Sequence, residues 1–194
     1  MKSEIRGARV IDPASARDEK ASIFIEDGKI AAVGNAPSGF RADETIDAAG
    51  LVACPGLVDL SARLREPGFE YKATLESEMR AAAAGGVTTL ACPPDTDPPL
   101  DEPGLVEMLK RRAASLDCGR VHPLGALTVG LKGERLAEMA ELTEAGCVGF
   151  FQGNAPLPEL TTLLQAMRYA ATWLHRVASP AGGFPRDGWR CARG

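Results

Sequence analysis

The chain has 194 residues, of which 45% are hydrophobic and 25% charged, with a net charge of −4. That length can bury a real core, and the composition is that of an ordinary globular protein. Acidic and basic residues are interspersed, without a stripe for nucleic acid, a polybasic run for a membrane surface or an apolar run of signal-peptide or membrane-span length, so a cytoplasmic protein is expected.

Residues 1–54 read as β. "EIRGARVID" and "ASIFIEDGKIAAVG" are rich in β-branched and apolar residues, and Asp27-Gly28 between them is a strong hairpin signal. Short strands are expected at "ETIDA" and "GLVAC". From Pro55 the rhythm changes to strand, helix, strand, helix. "GLVDL" is a strand. "TLESEMRAAAAGG" is a helix that Thr74 can cap and Gly85-Gly86 can stop. "VTTLACP" is the next strand. "PGLVEMLKRRAASL" is the second helix, with Leu105, Met108, Leu109 and Leu116 as its apolar stripe. "RVHPLGAL" is a third strand, "GERLAEMAELTEAG" a third helix ending at Gly146, "CVGFF" a fourth strand and "PELTTLLQAMRYAATW" a fourth helix. Apolar strands alternating with amphipathic helices predict an α/β fold with a parallel sheet. After Trp173 the periodicity stops, and residues 174–194 are expected to be an irregular tail.

The five cysteines, Cys54, Cys92, Cys118, Cys147 and Cys191, are widely spaced and include no C-x-x-C pair. Free thiols are expected, buried where they fall in the apolar runs "VAC", "LAC" and "GCVGFF". Only two histidines are present, His122 and His175, too few for a histidine-rich metal centre. His122 lies in an apolar strand and is expected to be structural. "GLKGERLAEM" lacks the spacing of a phosphate-binding loop, and "AAAAGG" is most simply close helix packing.

"PGLVDL…LREPGFEYKATLESEMRAAAAGGVTTLACPPDTDP" and "HPLGALTVGLKGERLAEMAELTEAG" resemble the bacterial dihydroorotases of the amidohydrolase superfamily. "LREPG" is shared with allantoinases, whereas its combination with "PLGALTVGLKG…AEM" is specific to dihydroorotases. The likeness spans residues 1–173. It implies the first four β/α units of a TIM-type (β/α)8 barrel over residues 55–173, beside a small β-sandwich to which residues 1–54 contribute. With four units alone, the first and fourth strands would be open edges prone to aggregation.

In the family the first barrel strand ends in H-x-H, both histidines binding zinc. Here those positions are Ser61 and Arg63. A hydroxyl is a poor zinc ligand, and a guanidinium offers no lone pair and brings a positive charge where a dication would sit. Arg65 stands where the family holds the substrate carboxylate. The substrate-binding asparagine of a "PNT" turn is matched by Asp95, which would repel an anionic substrate. The acidic metal ligand of an "FSDDG"-like turn is matched by "FFQGN", Phe150 to Asn154, without a carboxylate. Interconversion of dihydroorotate and carbamoyl aspartate uses a metal to activate water and polarise the carbonyl, and a carboxylate to move the proton. The resemblance therefore implies a protein of pyrimidine biosynthesis with no cofactor and no catalytic residue, in which Arg65 and Asp95 are vestigial substrate-binding positions. Some bacteria have such non-catalytic paralogues, which associate with aspartate carbamoyltransferase and support its assembly, and that partnership is the role implied. Two alternatives stand beside it: an active amidohydrolase with remodelled ligands drawn from Asp59, Glu66 and Asp95, and a truncated product without function.

With permissible codons, the segment from Trp173 onward can also be back-translated so that the next reading frame opens with a strand-like "FTVWL". A frameshifted ending is therefore expected. Sequencing the gene across Trp173 checks it: a shift of frame there is the expected result, and an in-frame match to relatives through Gly194 removes the idea.

Overall fold

A computed structural model describes residues 1–155, 157, 159–172, 176–179 and 190–191. The chain forms two compact units, Met1–Pro55 and Gly56–Gly194. The first is a five-stranded sheet. β1 (Lys2–Asp12) runs antiparallel to β2 (Arg17–Glu26), which pairs with β3 (Lys29–Val33). β4 (Glu44–Asp47) and β5 (Val52–Ala53) both lie parallel to β1. Asp27 and Gly28 link β2 to β3 with φ of 49° and 74°, the two left-handed residues that a tight hairpin turn requires. Ala8, Val10, Ile23 and Phe24 are buried, and Phe40 meets Phe24 edge-on at 5.2 Å.

The second unit opens with β6 (Leu57–Asp59), α1 (Leu75–Ala84) and β7 (Val87–Cys92). The expected cap is present: Thr74 Oγ1 accepts the Ser77 amide at 3.2 Å and Ser77 Oγ accepts the Thr74 amide at 3.0 Å. Gly86, at φ 79°, turns the chain from α1 into β7. α2 (Pro103–Ser115) buries Val106, Leu109 and Ala113. Its stripe is thus rotated from the predicted one, with Leu105 and Leu116 at the flanks.

"RVHPLGAL" does not form one strand. It divides at Leu124 into β8 (Arg120–Pro123) and β9 (Gly125–Ala126). β8 completes a parallel sheet in the order β6-β7-β8, while β9 pairs with β10 (Gly149–Phe151) in a second sheet. The Leu124 amide donates to Cys92 O at 2.8 Å, so the residue at the break stays tied to the first sheet.

α3 (Met139–Ala145) starts later than predicted. Residues 135–137 instead pair with the chain after β9: Val129 N donates to Arg135 O at 2.9 Å and Ala137 N to Leu127 O at 3.1 Å. These non-local bonds outweigh the marginal stability of an extra helical turn. Gly146, at φ 104°, ends α3 as expected, and α4 (Leu160–Ala171) follows β10.

Of the segment 174–194 expected to be irregular, residues 176–179 and 190–191 are described, and they form strands, while the remainder lies outside the described residues. β11 (Arg176–Ser179) extends the second sheet as a parallel neighbour of β10, with Phe150 opposite Val177, and β12 (Arg190–Cys191) runs antiparallel to β11. Val177 is buried, so burial of an apolar side chain accompanies the pairing. The strand after the fourth β/α unit is therefore occupied, and β10 is not an edge. Among the described residues β6 is an edge, and Leu57, Val58 and Leu60 are 59–75% exposed. Trp173 and His175 lie outside the described residues. No helix among the described residues is long and apolar enough to cross a membrane.

Burial pushes the thiols of Cys92 and Cys147 up to about 12, whereas Cys54, expected to be buried, is exposed. Iodoacetamide at pH 8, followed by peptide mass spectrometry, is expected to modify Cys54 well before Cys92 and Cys147. Raising the pH to 9 should leave those two protected, because both remain thiols well below their titration. Thr74→Ala is expected to lower stability by about 1 kcal/mol in urea denaturation, through loss of the α1 cap.

Candidate functional site

Parallel strands place their C-terminal ends together, and the loops leaving those ends build the site. β6 leads into the "SARLREPG" loop, β7 into "PPDTDPP" and β10 into "QGN". Leu64 is almost completely buried and anchors the first loop, so that Arg63 reaches across to the other two. Its Nε donates to Asp95 Oδ2 at 2.7 Å and its Nη2 to Asn154 Oδ1 at 3.2 Å. Asp95 belongs to a turn in which Thr96 Oγ1 donates to Pro98 O at 2.8 Å. Gly153 has φ of 66°, and a Cβ there would lie 3.2 Å from Asp95 Cβ, so a small residue allows this approach.

The sequence places Arg63 and Asp95 as separate departures from the family pattern, one repelling a metal and the other an anionic substrate. The fold joins them as an ion pair, so the Asp95 charge is compensated rather than free to repel. The contribution of Asn154 is not visible from sequence spacing. The available signal is a polar "QGN" directly after the apolar "CVGFF".

The "LREPG" glutamate is structural. Glu66 is only 4% exposed; its Oε2 accepts the Leu75 amide at the start of α1 at 2.8 Å, and its Oε1 pairs with Arg112 of α2. A carboxylate there also complements the positive end of the helix dipole. Gly68, at φ 94°, packs against the next loop: a Cβ would fall 2.2 Å from Asp97 O, and Asp97 N donates to Pro67 O at 3.1 Å. Asp59 accepts the Ser61 amide at 2.8 Å. Each carboxylate of the remodelled-ligand alternative, Asp59, Glu66 and Asp95, thus has a structural partner.

Gln152 stands near the expected position of an acidic ligand and is fully buried. Thr128 Oγ1 donates to its Oε1 at 3.0 Å, and its Nε2 donates to Leu131 O at 3.0 Å. The amide thereby fastens the "LTVGLKG" loop to the end of β10. Arg65 has φ of 65°, is half-buried, and its guanidinium has no polar partner among the described residues. It lines an open cavity of about 620 Å³ with Asp59, Ser61, Arg63, Lys72 and Glu78. His122 is half-buried in β8, opposite Ala91 of β7, and its imidazole makes no side-chain hydrogen bond among the described residues.

These residues do not fit a zinc ion. Among the described residues no three histidine, cysteine, aspartate or glutamate side chains are grouped to hold a metal, and the Arg63 guanidinium already neutralises Asp95. The loop geometry yields a stability prediction. Arg112→Ala leaves the buried Glu66 carboxylate with one donor and is expected to cost about 2 kcal/mol in urea denaturation. Gly68→Ala should also destabilise, through the clash with Asp97 and the left-handed φ.

The family described as Dihydro-orotase-like matches residues 50–177. The chain is 53% identical over 173 residues to the dihydroorotase-like protein of Pseudomonas aeruginosa, covering 89% of this chain and 41% of that protein. It is 44% identical over 173 residues to the dihydroorotase of Syntrophotalea carbinolica, covering 89% and 40%. The chain therefore spans about two fifths of the length of these curated relatives. Among solved structures, L-hydantoinase from Arthrobacter aurescens matches with a TM-score of 0.75 at 24% identity, over 92% of this chain and 40% of that one. A dihydroorotase matches with a TM-score of 0.62 at 18% identity, over 93% and 51%. At those identities the likeness is one of fold, while the family match rests on sequence: the chain belongs to the dihydroorotase-like family.

Proposed function

We propose that this chain belongs to a catalytically inactive, cytoplasmic dihydroorotase-like protein of pyrimidine biosynthesis, which serves as a structural partner of aspartate carbamoyltransferase. The observation that carries the reading is the ion pair of Arg63 with Asp95, at the strand end where the family resemblance implies zinc-binding imidazoles. Hydrolysis or closure of a cyclic amide at neutral pH needs an activated water and a proton acceptor. Here the hydroxyl of Ser61 and the guanidinium of Arg63 supply neither, and Asp95 has its charge committed to Arg63. Arg65 remains as a vestige of a carboxylate-binding position beside the cavity, and Asp95 as a vestige of the second substrate position. A scaffold that keeps the loops while replacing their reactive groups suits assembly rather than turnover.

In this reading, residues 55–173 are the first four β/α units of a (β/α)8 barrel, and residues 1–54 contribute to a small β-sandwich. The exposed apolar edge at β6 is where the closing strand of a complete barrel would pair.

Metal analysis and a carbamoyl-aspartate cyclisation assay test the catalytic half. Neither stoichiometric zinc nor turnover is expected, for this chain or for a parent of the relatives' full length. Zinc at one ion per chain together with turnover would favour the active amidohydrolase with remodelled ligands. Co-purification of the full-length parent with aspartate carbamoyltransferase tests the other half: a stable complex is expected, and its absence at micromolar concentrations defeats the assembly role.

A further inference from the structure

We propose that Arg63 is a built-in cation that clamps the loops after β6, β7 and β10 together and so holds the shape of the candidate site. The inference rests on the metal-free reading above and adds a role for the residue that replaces the ligand.

The three loops do not leave adjacent strands of one sheet. β6 and β7 are neighbours in the first sheet, whereas β10 lies in the second. Backbone pairing within either sheet therefore cannot join all three loop ends. The guanidinium can, because its nitrogens are fixed in one plane and donate in different directions. Nε reaches Asp95 at 2.7 Å while Nη2 reaches Asn154 at 3.2 Å. A lysine ammonium is compact and lacks this planar fork.

The acceptors are themselves positioned. Asp95 sits in a turn tied to the "REPG" loop through Asp97 N and Pro67 O, and Gly153 lets the "QGN" turn approach Asp95. The Arg63 and Asp95 side chains are 28% and 25% exposed, so their attraction is less screened than that of a fully exposed pair. The bland alternative is an incidental ion pair without influence on the loops. It predicts no coupling between the partners and no change in loop opening.

Hydrogen exchange by mass spectrometry and urea denaturation of the whole chain distinguish the two. The variants are Arg63→Met, Arg63→Lys, Asp95→Ala and the double Arg63→Met/Asp95→Ala. Arg63→Met is expected to accelerate exchange several-fold in peptides covering 95–97 and 152–155, while peptides from Met1–Pro55 stay unchanged. Arg63→Lys should restore protection at 95–97 but not at 152–155. The double variant should be less destabilised than the sum of the singles, by about tenfold in the folding equilibrium. Unchanged exchange in Arg63→Met, or strictly additive effects, would overturn the clamp. If Arg63→Met does not fold, Arg63→Lys decides: wild-type exchange in both loops defeats the proposal, and selective loss at 152–155 supports it. Parallel metal analysis of the wild-type chain separates the premises. Stoichiometric zinc would overturn the metal-free reading and the clamp built on it, whereas a failed exchange or coupling result sinks the clamp alone.

Discussion

The positive charge of Arg63 is held between the loops that follow β7 and β10, and the chemistry available at that end of the fold follows from it. A guanidinium 2.7 Å from Asp95 commits that carboxylate to a close side-chain bond with the neighbouring loop. It also places a fixed cation at that end of the strands. A charged side chain at a loop end could have been left unpaired. Instead, the arginine finds acceptors on two other loops, and both of its neighbours are polar groups that the fold already brings there.

The same loops carry further ties besides that pair. Glu66 joins the start of α1 to Arg112 on α2, Gly68 permits the approach of the "PPDTDPP" turn, and Gln152 fastens the "LTVGLKG" segment. These are buried or close-packed contacts, so they give the loops a defined shape. Persistence of "LREPG" in this chain therefore has a packing explanation. Its glutamate and glycine serve the scaffold, and its arginine, Arg65, faces a cavity without a polar partner for the guanidinium among the described residues.

Much of the fold was legible because short-range signals and burial agree. The Asp27-Gly28 hairpin, the Thr74 cap and the Gly146 stop are set by local backbone and hydrogen-bond preferences, and each is found in place. The division of "RVHPLGAL" at Leu124, the late start of α3 and the strand at Arg176–Ser179 were not legible. Each depends on backbone partners far away in sequence: Cys92 for Leu124, Leu127 for Ala137, Phe150 for Val177. The stripe of α2 was recognised as helical but rotated, since the true centre at Val106 and Ala113 is decided by which neighbours the helix meets.

For the site, the sequence by itself determined the donor chemistry: hydroxyl at Ser61, guanidinium at Arg63, carboxylate at Asp95 and amide at Gln152. Those identities already oppose a zinc centre, because protonation and lone pairs belong to the residue type. Only the tertiary structure decided that Arg63 and Asp95 neutralise one another, that Asn154 shares the arginine, and that Glu66 is buried against two helices. Residues 32 and 91 positions apart meet only when strand ends converge, and no local pattern encodes that distance.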